Sequence, residues 1–594
     1  MKQHSAKTGQ SMLGGAMILT ISMVLVKVVG LLYKLPLANA YSMEGKGYFS
    51  NAFDIYLPIY AIAITGLNVA VSRMVSQRCA QGLYRDVREI QKVARKIFLI
   101  TGLGGTALLL AIAWPFSYVA TGGRDSIPSI VAIAPTVYFC CAMSAYRGYY
   151  EGLRNMKPTA MSQVLEALCK LVLGLALAMV VMEAGRKEFG LSGTVFGTPA
   201  ASAKIADSML YPWASAASIL GITAGAVISL LYLWLRHKVK GDGITSEQLL
   251  RSPPPEGKKK LAREMVTVAI PMVISSVILN VTNLIDVLNV NFMLKRTLAM
   301  HFDEIVRIYG ATFQLAGTQP KDYATYIWGL YNTALDFRTL IPTIITALGV
   351  SALPAIAAAW TLRDRVTVQK HVNTVLRIAL MISLPAGFGM AVLSKEIMTL
   401  FYEKNNPGMA EHAAPMMMVF GIATALMAVS APVISMLQGI GRTDVPVKSL
   451  VAGTVVKIGA NTLLVSIPSI NVNGATIGTV LFYVVIVSVN LFMLIRVSKA
   501  KVRLMPVLVK PLFCALLSAA GAWLAKDLAL RFFSGGDLSQ RMVMLLAVAA
   551  AVALAVLVYA FSMLLCRAVT QEDLEILPAG KKLGKVLAKF RLIG

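Results

Sequence analysis

The chain has 594 residues, 57% of them hydrophobic and only 14% charged, with a mean hydropathy of +0.69. A soluble domain carries about 25% charged residues, so this composition excludes a soluble enzyme or binding module. The formal net charge is +27. The cations sit in short segments between long apolar runs, which points to a positive-inside bias and attraction to anionic lipid, not to nucleic acid.

A helix needs roughly 20 apolar residues to cross a hydrocarbon core, and only helices pair all their backbone groups within one segment. Apolar runs predict membrane helices over 11–34, 48–77, 97–120, 127–150, 158–182, 212–235, 264–293, 323–358, 372–394, 413–437, 446–467, 472–495, 506–530 and 541–566. The expected fold is therefore an all-α polytopic membrane protein with about fourteen spans. The first run is too long for a cleaved signal peptide and reads as span one. Alternate loops are rich in cations, from Arg78–Lys96 through Arg236–Arg263 to Arg496–Arg503. These loops are expected in the cytoplasm, with both termini, in a multi-pass protein of the cell membrane.

The segment 237–262, with Ser252-Pro253-Pro254-Pro255 and a lysine run, reads as a cytoplasmic linker between an N-lobe (1–236, spans one to six) and a C-lobe (263–496, spans seven to twelve). Spans thirteen and fourteen fill 497–569, and 570–594 is expected as a basic amphipathic tail on the inner leaflet. Gly47-x4-Ala52-x-Asp54 matches Gly329-x4-Ala334-x-Asp336, and Glu151-Gly152-x5-Pro158 matches Gln438-Gly439-x6-Pro446 at nearly the same offset. The lobes thus read as parallel repeats related by a pseudo-two-fold axis along the membrane normal, an architecture that places a substrate site between repeats. The six cysteines form no C-x-x-C pair and read as small hydrophobes.

Ionisable groups inside spans cost about 2.5–3.5 kcal/mol each on insertion scales, so they face a cavity or a partner. Lys27 and Lys34 lie seven apart on one face of span one, and Asp54 enters span two at a depth that suits an ion pair with Lys27. Lys170 and Lys457 each lie roughly 18 Å into equivalent helices, and Glu166, four residues before Lys170, is placed to neutralise it in part. Asp286 in span seven and Asp336 in span eight are expected as counter-ions to the lysines, as ligands of a coupling cation or, with Arg338 of span eight, as members of a structural ion pair. These nine residues are the expected cavity site. Arg73, Arg147 and Glu151, at cytoplasmic ends of spans, are expected to position or gate. Lysines inside a bilayer protein make a place for an anion such as phosphate. There is no P-loop and no metal-spaced His cluster, so no cofactor, no metal and no catalytic residue are expected.

The stretch Arg147-Gly-Tyr-Tyr-Glu-Gly-Leu-Arg-Asn-Met-Lys-Pro-Thr-Ala-Met-Ser-Gln-Val-Leu-Glu-Ala-Leu-Cys-Lys170 resembles the signature of the SpoVB/YtgP group, relatives of the lipid II flippase MurJ in the MOP exporter superfamily. Lys27-Val-Val-Gly30-Leu-Leu-Tyr33-Lys34-Leu-Pro36, Gly329-Leu-Tyr-Asn332 running to Ile341-Pro342, and Asn283-Leu-Ile-Asp286 agree with it. The resemblance implies two six-helix lobes around a cationic cavity, alternating access, an undecaprenyl-diphosphate-linked saccharide as cargo, and a lipid-tail groove made by spans thirteen and fourteen. It makes Lys27 a cavity cation, serves wall growth or the spore cortex, and leaves the protein a monomer and not an enzyme. Where MurJ proteins carry further cavity arginines, this chain has Tyr33 and Ile62. Two other readings are a MATE-like cation-coupled multidrug exporter, which expects twelve spans and an acid-dominated cavity, and a membrane-embedded glycan polymerase or ligase, which expects a large outer catalytic loop.

Overall fold

The computed structural model describes residues 12–121, 123–338, 362–533 and 539–570, with scattered positions between 341 and 361. The expected basic tail lies outside these residues, apart from Thr570. In chain order the helices are α1 (Met12–Ala40), α2 (Ser42–Ala80), α3 (Tyr84–Thr121), α4 (Ile127–Gly152), α5 (Lys157–Ser192), α6 (Ala203–Lys240), α7 (Ser246–Arg251), α8 (Lys258–Met300), α9 (Phe302–Ala316) and α10 (Tyr323–Arg338). They continue with α11 (Arg365–Val392), α12 (Ser394–Met398), α13 (Met409–Gly439), α14 (Asp444–Val465), α15 (Asn473–Ser498), α16 (Lys510–Phe533) and α17 (Gln540–Leu565). One two-residue strand pair, Thr194–Val195 with Thr198–Pro199, closes the turn after α5.

The protein is all-α and polytopic. Among the described residues twelve helices are long and apolar enough to cross a membrane. The expected seventh span lies wholly within α8, and α10 opens the eighth, whose remainder falls largely outside the described residues. Outward apolar side chains stay exposed, as lipid-facing surfaces must: Ile100 at 71%, Val172 at 62% and Val556 at 61%.

The chain divides into two compact units: unit 1 is Met1–Phe292 with Ala316–Gly329, and unit 2 is Met293–Leu315 with Leu330–Gly594. The division falls inside α8, and 237–262 belongs to unit 1. The reason is electrostatic. Arg78 at the end of α2 meets Glu264 at 2.9 Å, Glu256 at 3.1 Å and Asp86 at 3.5 Å. Asp242 receives Arg88 at 2.9 Å, Tyr149 at 3.0 Å and the Ile244 amide at 3.0 Å. Burial alone raises the Asp242 carboxyl, but these donors hold it below the usual carboxylate range. The supposed linker is thus fastened to unit 1 and carries its own helix, α7, closed by a Thr245–Gln248 capping box.

In unit 1, α5 packs along α6 and α1, and α4 lies against α2, α3 and α6. Without a hydrophobic drive inside lipid, packing relies on polar bonds and small residues. Thr136 meets Thr223 at 2.6 Å, Ser129 donates to Ser215 at 2.9 Å, and Ser229 donates to the Ser162 carbonyl at 3.0 Å. In unit 2, α11 packs on α13, α14 on α15, and the α16–α17 hairpin on α11, where Tyr559 donates to the Met381 carbonyl at 2.6 Å.

The tightest helix approach joins the two glycines that the sequence pattern had matched. A Cβ on Gly329 would overlap the Met43 carbonyl, and one on Gly47 would overlap the Thr325 carbonyl. Both obstacles are backbone, so neither can swing aside. Gly329→Ala is expected to cost about 3 kcal/mol and to lower the yield of monodisperse protein, measured by size exclusion and thermal unfolding in detergent. Gly459→Ala, at a helical site with open space around it, is expected to behave as the unaltered chain.

Candidate functional site

Along α2, Phe49, Phe53, Tyr56 and Tyr60 recur at i, i+4, i+7 and i+11 and so share one helical face. Successive ring centroids stand 4.8, 5.8 and 5.4 Å apart. Tyr33 of α1 joins the row 6.1 Å from Phe49, fixed by a 2.8 Å bond from its hydroxyl to the Ser218 carbonyl on α6. Pro58 lies within the helix between Tyr56 and Tyr60.

Cations are placed on this row. Lys170 Nζ stands 4.9 Å from the Tyr33 ring and 5.4 Å from the Phe53 ring, and Lys46 Nζ stands 5.7 Å from Phe49. These lie within the roughly 6 Å over which a ring face attracts an ammonium. Each ring face thereby attracts and orients the ammonium above it.

Glu166 does not serve Lys170 as its spacing suggested. Its carboxylate takes a 2.9 Å bond from Arg147 of α4, and Arg147 also donates to Ser162 at 2.9 Å. The antiparallel packing of α4 and α5 across the 153–156 turn brings 147 and 166 to a common depth. Arg147 is only 8% exposed, so it is a buried partner of Glu166 and not an interfacial group. Glu151 accepts from Asn68 at 3.4 Å in the same layer. Arg73 is exposed.

The expected Lys27–Asp54 pair is also replaced. Asp54 lies against the Trp328 indole, with Asp286 and Lys34 in electrostatic reach. Lys27 is exposed on α1 and its near charge is Lys34. The cause is that α1 packs chiefly along α5 and touches α2 only slightly. Lys34, Asp54 and Asp286 therefore form one group, and Lys170 with the aromatic row another, both in unit 1.

In unit 2, Arg338 lies 5.1 Å from the Phe420 ring, itself 5.7 Å from Tyr331. Lys457 stands 5.6 Å from the Phe482 ring, and Asp336 acts on Tyr402. Lys170 and Lys457 thus both rest on aromatic rings, Lys170 on α1 and α2 and Lys457 on α15. No group of His, Cys, Asp and Glu suited to a metal occurs among the described residues. The aromatic row was not anticipated, although its i, i+4, i+7, i+11 spacing was there to be counted.

These environments separate two kinds of buried cation. Arg147→Met leaves the half-buried Glu166 without its partner and Ser162 without its donor, and is expected to cost about 2 kcal/mol. Lys170→Met keeps a chain packed on Tyr33 and Phe53 and is expected to cost less than about 1 kcal/mol. Thermal unfolding of the two purified variants makes the comparison.

Residues 324–544 match the family model "Lipid II flippase MurJ", and residues 12–184 match "Polysaccharide biosynthesis protein". The Lipid II flippase MurJ of Bacillus subtilis is 25% identical over 80% of this chain and 80% of its own length. Stage V sporulation protein B of the same organism is 23% identical over 79% and 81%. A solved structure of lipid II flippase MurJ in an inward closed conformation superposes with a TM-score of 0.62, at 12% identity, over 92% of this chain and 98% of that one. Multidrug MATE transporters of the MOP superfamily share the fold as well. By sequence the chain is similar to the lipid II flippase MurJ and to Stage V sporulation protein B, and by fold it is a multi-pass protein of the cell membrane.

Proposed function

We propose that this protein is a flippase that carries a polyprenyl-diphosphate-linked saccharide of the lipid II type across the cell membrane by alternating access. The observation that carries the reading is Lys170, an ammonium held against two aromatic rings at 4.9 and 5.4 Å within a helix otherwise fit to cross lipid. Such a charge attracts a diphosphate, and the neighbouring rings offer stacking faces to sugars. In unit 1, Lys27 and Lys34 add positive charge and Asp54 and Asp286 tune it; in unit 2, Lys457, Arg338 and Asp336 are the proposed site residues.

The family matches support the same cargo class, since the relatives are named for a lipid II flippase and for polysaccharide biosynthesis. Energy needs no nucleotide: an anionic head moving outward falls through an inside-negative potential worth about 2.3 kcal/mol per charge per 100 mV. The α16–α17 hairpin is the proposed support for the lipid tail, and both termini are proposed to lie in the cytoplasm. A drug exporter of the MATE type shares the fold, but it expects acids to dominate its cavity, and here Glu166 is engaged by Arg147.

Cells depleted of their own lipid II flippase test the proposal. The unaltered chain is expected to restore growth. Lys27→Ala and Lys170→Ala are expected to fail at normal membrane abundance, measured by immunoblot of the membrane fraction. Full growth with both variants removes the cationic site, and binding to lipid II no tighter than to neutral phospholipid removes the cargo.

A further inference from the structure

On unit 1, the turns expected to face outward meet around a chamber of about 470 Å³. Its polar lining includes Glu44 and Tyr48 near the start of α2, Arg124 and Asp125 after α3, and Lys321 and Asp322 before α10. Glu44 is 1% exposed, Tyr48 1% and Asp322 4%. Tyr48 Oη stands 2.9 Å from Asp322 Oδ1 and 3.2 Å from Glu44 Oε1. The second Glu44 oxygen, Oε2, is buried with no hydrogen-bond partner. Lys321 Nζ lies 3.5 Å from Asp125 and 3.8 Å from Asp322.

Counting hydrogens shows what this arrangement lacks. A phenol has one hydrogen and can donate to one carboxylate. With both carboxylates ionised, one short O···O contact would hold no hydrogen, and Glu44 Oε2 would be a bare buried anion, which is costly. One added proton removes both faults. Glu44 donates to Tyr48 Oη, Tyr48 donates to Asp322, and Oε2 becomes the carbonyl of a neutral acid. Asp322 and Asp125 then face Lys321 and Arg124 in charge balance.

We propose that Glu44 is a proton-binding site, and that its proton fastens the loop before α10 to the start of α2. The groups that face Glu44 are Tyr48 on its own helix, Asp322 and Lys321 from the loop, Asp125 after α3 and Tyr211 on α6. Burial also pushes the Asp322 carboxyl up, against the pull of Lys321, so the pair does not welcome two negative charges. When the proton leaves, like charges flank one phenol and the loop loosens. The latch is therefore complete at low pH and is lost as pH rises.

Hydrogen exchange on the full chain in nanodiscs, without lipid substrate, tests this apart from the transport reading. Opening of residues 316–329 releases the Glu44 proton. Their protection, corrected for intrinsic exchange, is expected to fall about tenfold per pH unit between the ordinary carboxyl range and the midpoint of the closed site. Residues 194–199 should show no such slope. Infrared titration is expected to show a protonated-carboxyl band at neutral pH that vanishes in alkali and is missing from Glu44→Gln, but kept in Asp125→Asn. A slope of zero in the unaltered chain overturns the proposal even if Glu44→Gln fails to fold, and a band that survives in folded Glu44→Gln overturns it as well.

Discussion

A charge inside hydrocarbon must find its partner within the protein, and that constraint organises unit 1. Arg147 meets it with Glu166 and Ser162, each at 2.9 Å, and in doing so locks α4 to α5. Lys170 meets it with the faces of Tyr33 and Phe53. The two solutions differ in consequence. A carboxylate consumes the positive charge it stabilises, whereas a ring face stabilises the charge and leaves its field largely intact. One residue class therefore yields both a pin between helices and a cation laid on rings, and the distinction lies in what surrounds it.

The same constraint explains what could be read from the chain and what could not. Helix positions followed from apolar runs, because hydrocarbon thickness imposes a length that any sequence must meet. The importance of the Arg147–Lys170 stretch was legible too. Its internal pairing was not, since i to i+4 spacing favoured Glu166 with Lys170, while the actual partner comes from the neighbouring helix. Asp54 went the same way: depth alone suited Lys27, but the packing of α1 along α5 leaves Lys34 nearer. α9 falls between the expected spans, although Ile305, Tyr309, Thr312 and Phe313 bury one face of a regular helix. It is short and polar on its other side, so a search for membrane-length runs passes over it.

The segment between the sixth and seventh spans shows composition misleading in a different manner. Three prolines and a lysine run suggest a free connector. Yet Arg78 gathers Asp86, Glu256 and Glu264, and Asp242 gathers Arg88, Tyr149 and the Ile244 amide. Acids scattered among the lysines make this possible, and their arginine partners lie more than 150 residues away in the chain. The prolines, which cannot extend a helix, here separate α7 from α8 instead of freeing the segment.

Pro58 has a consequence for the aromatic row. It supplies no amide hydrogen, so the carbonyl of Asp54 has no helical donor and the backbone is weakest in bending there. Phe49, Phe53 and Tyr56 stand on one side of that weak point and Tyr60 on the other. A change of bend in α2 pivots Tyr60 away from the other three rings without breaking a single backbone bond. The stacked surface is in effect two plates on a common spring, able to change its length and angle with the same four side chains.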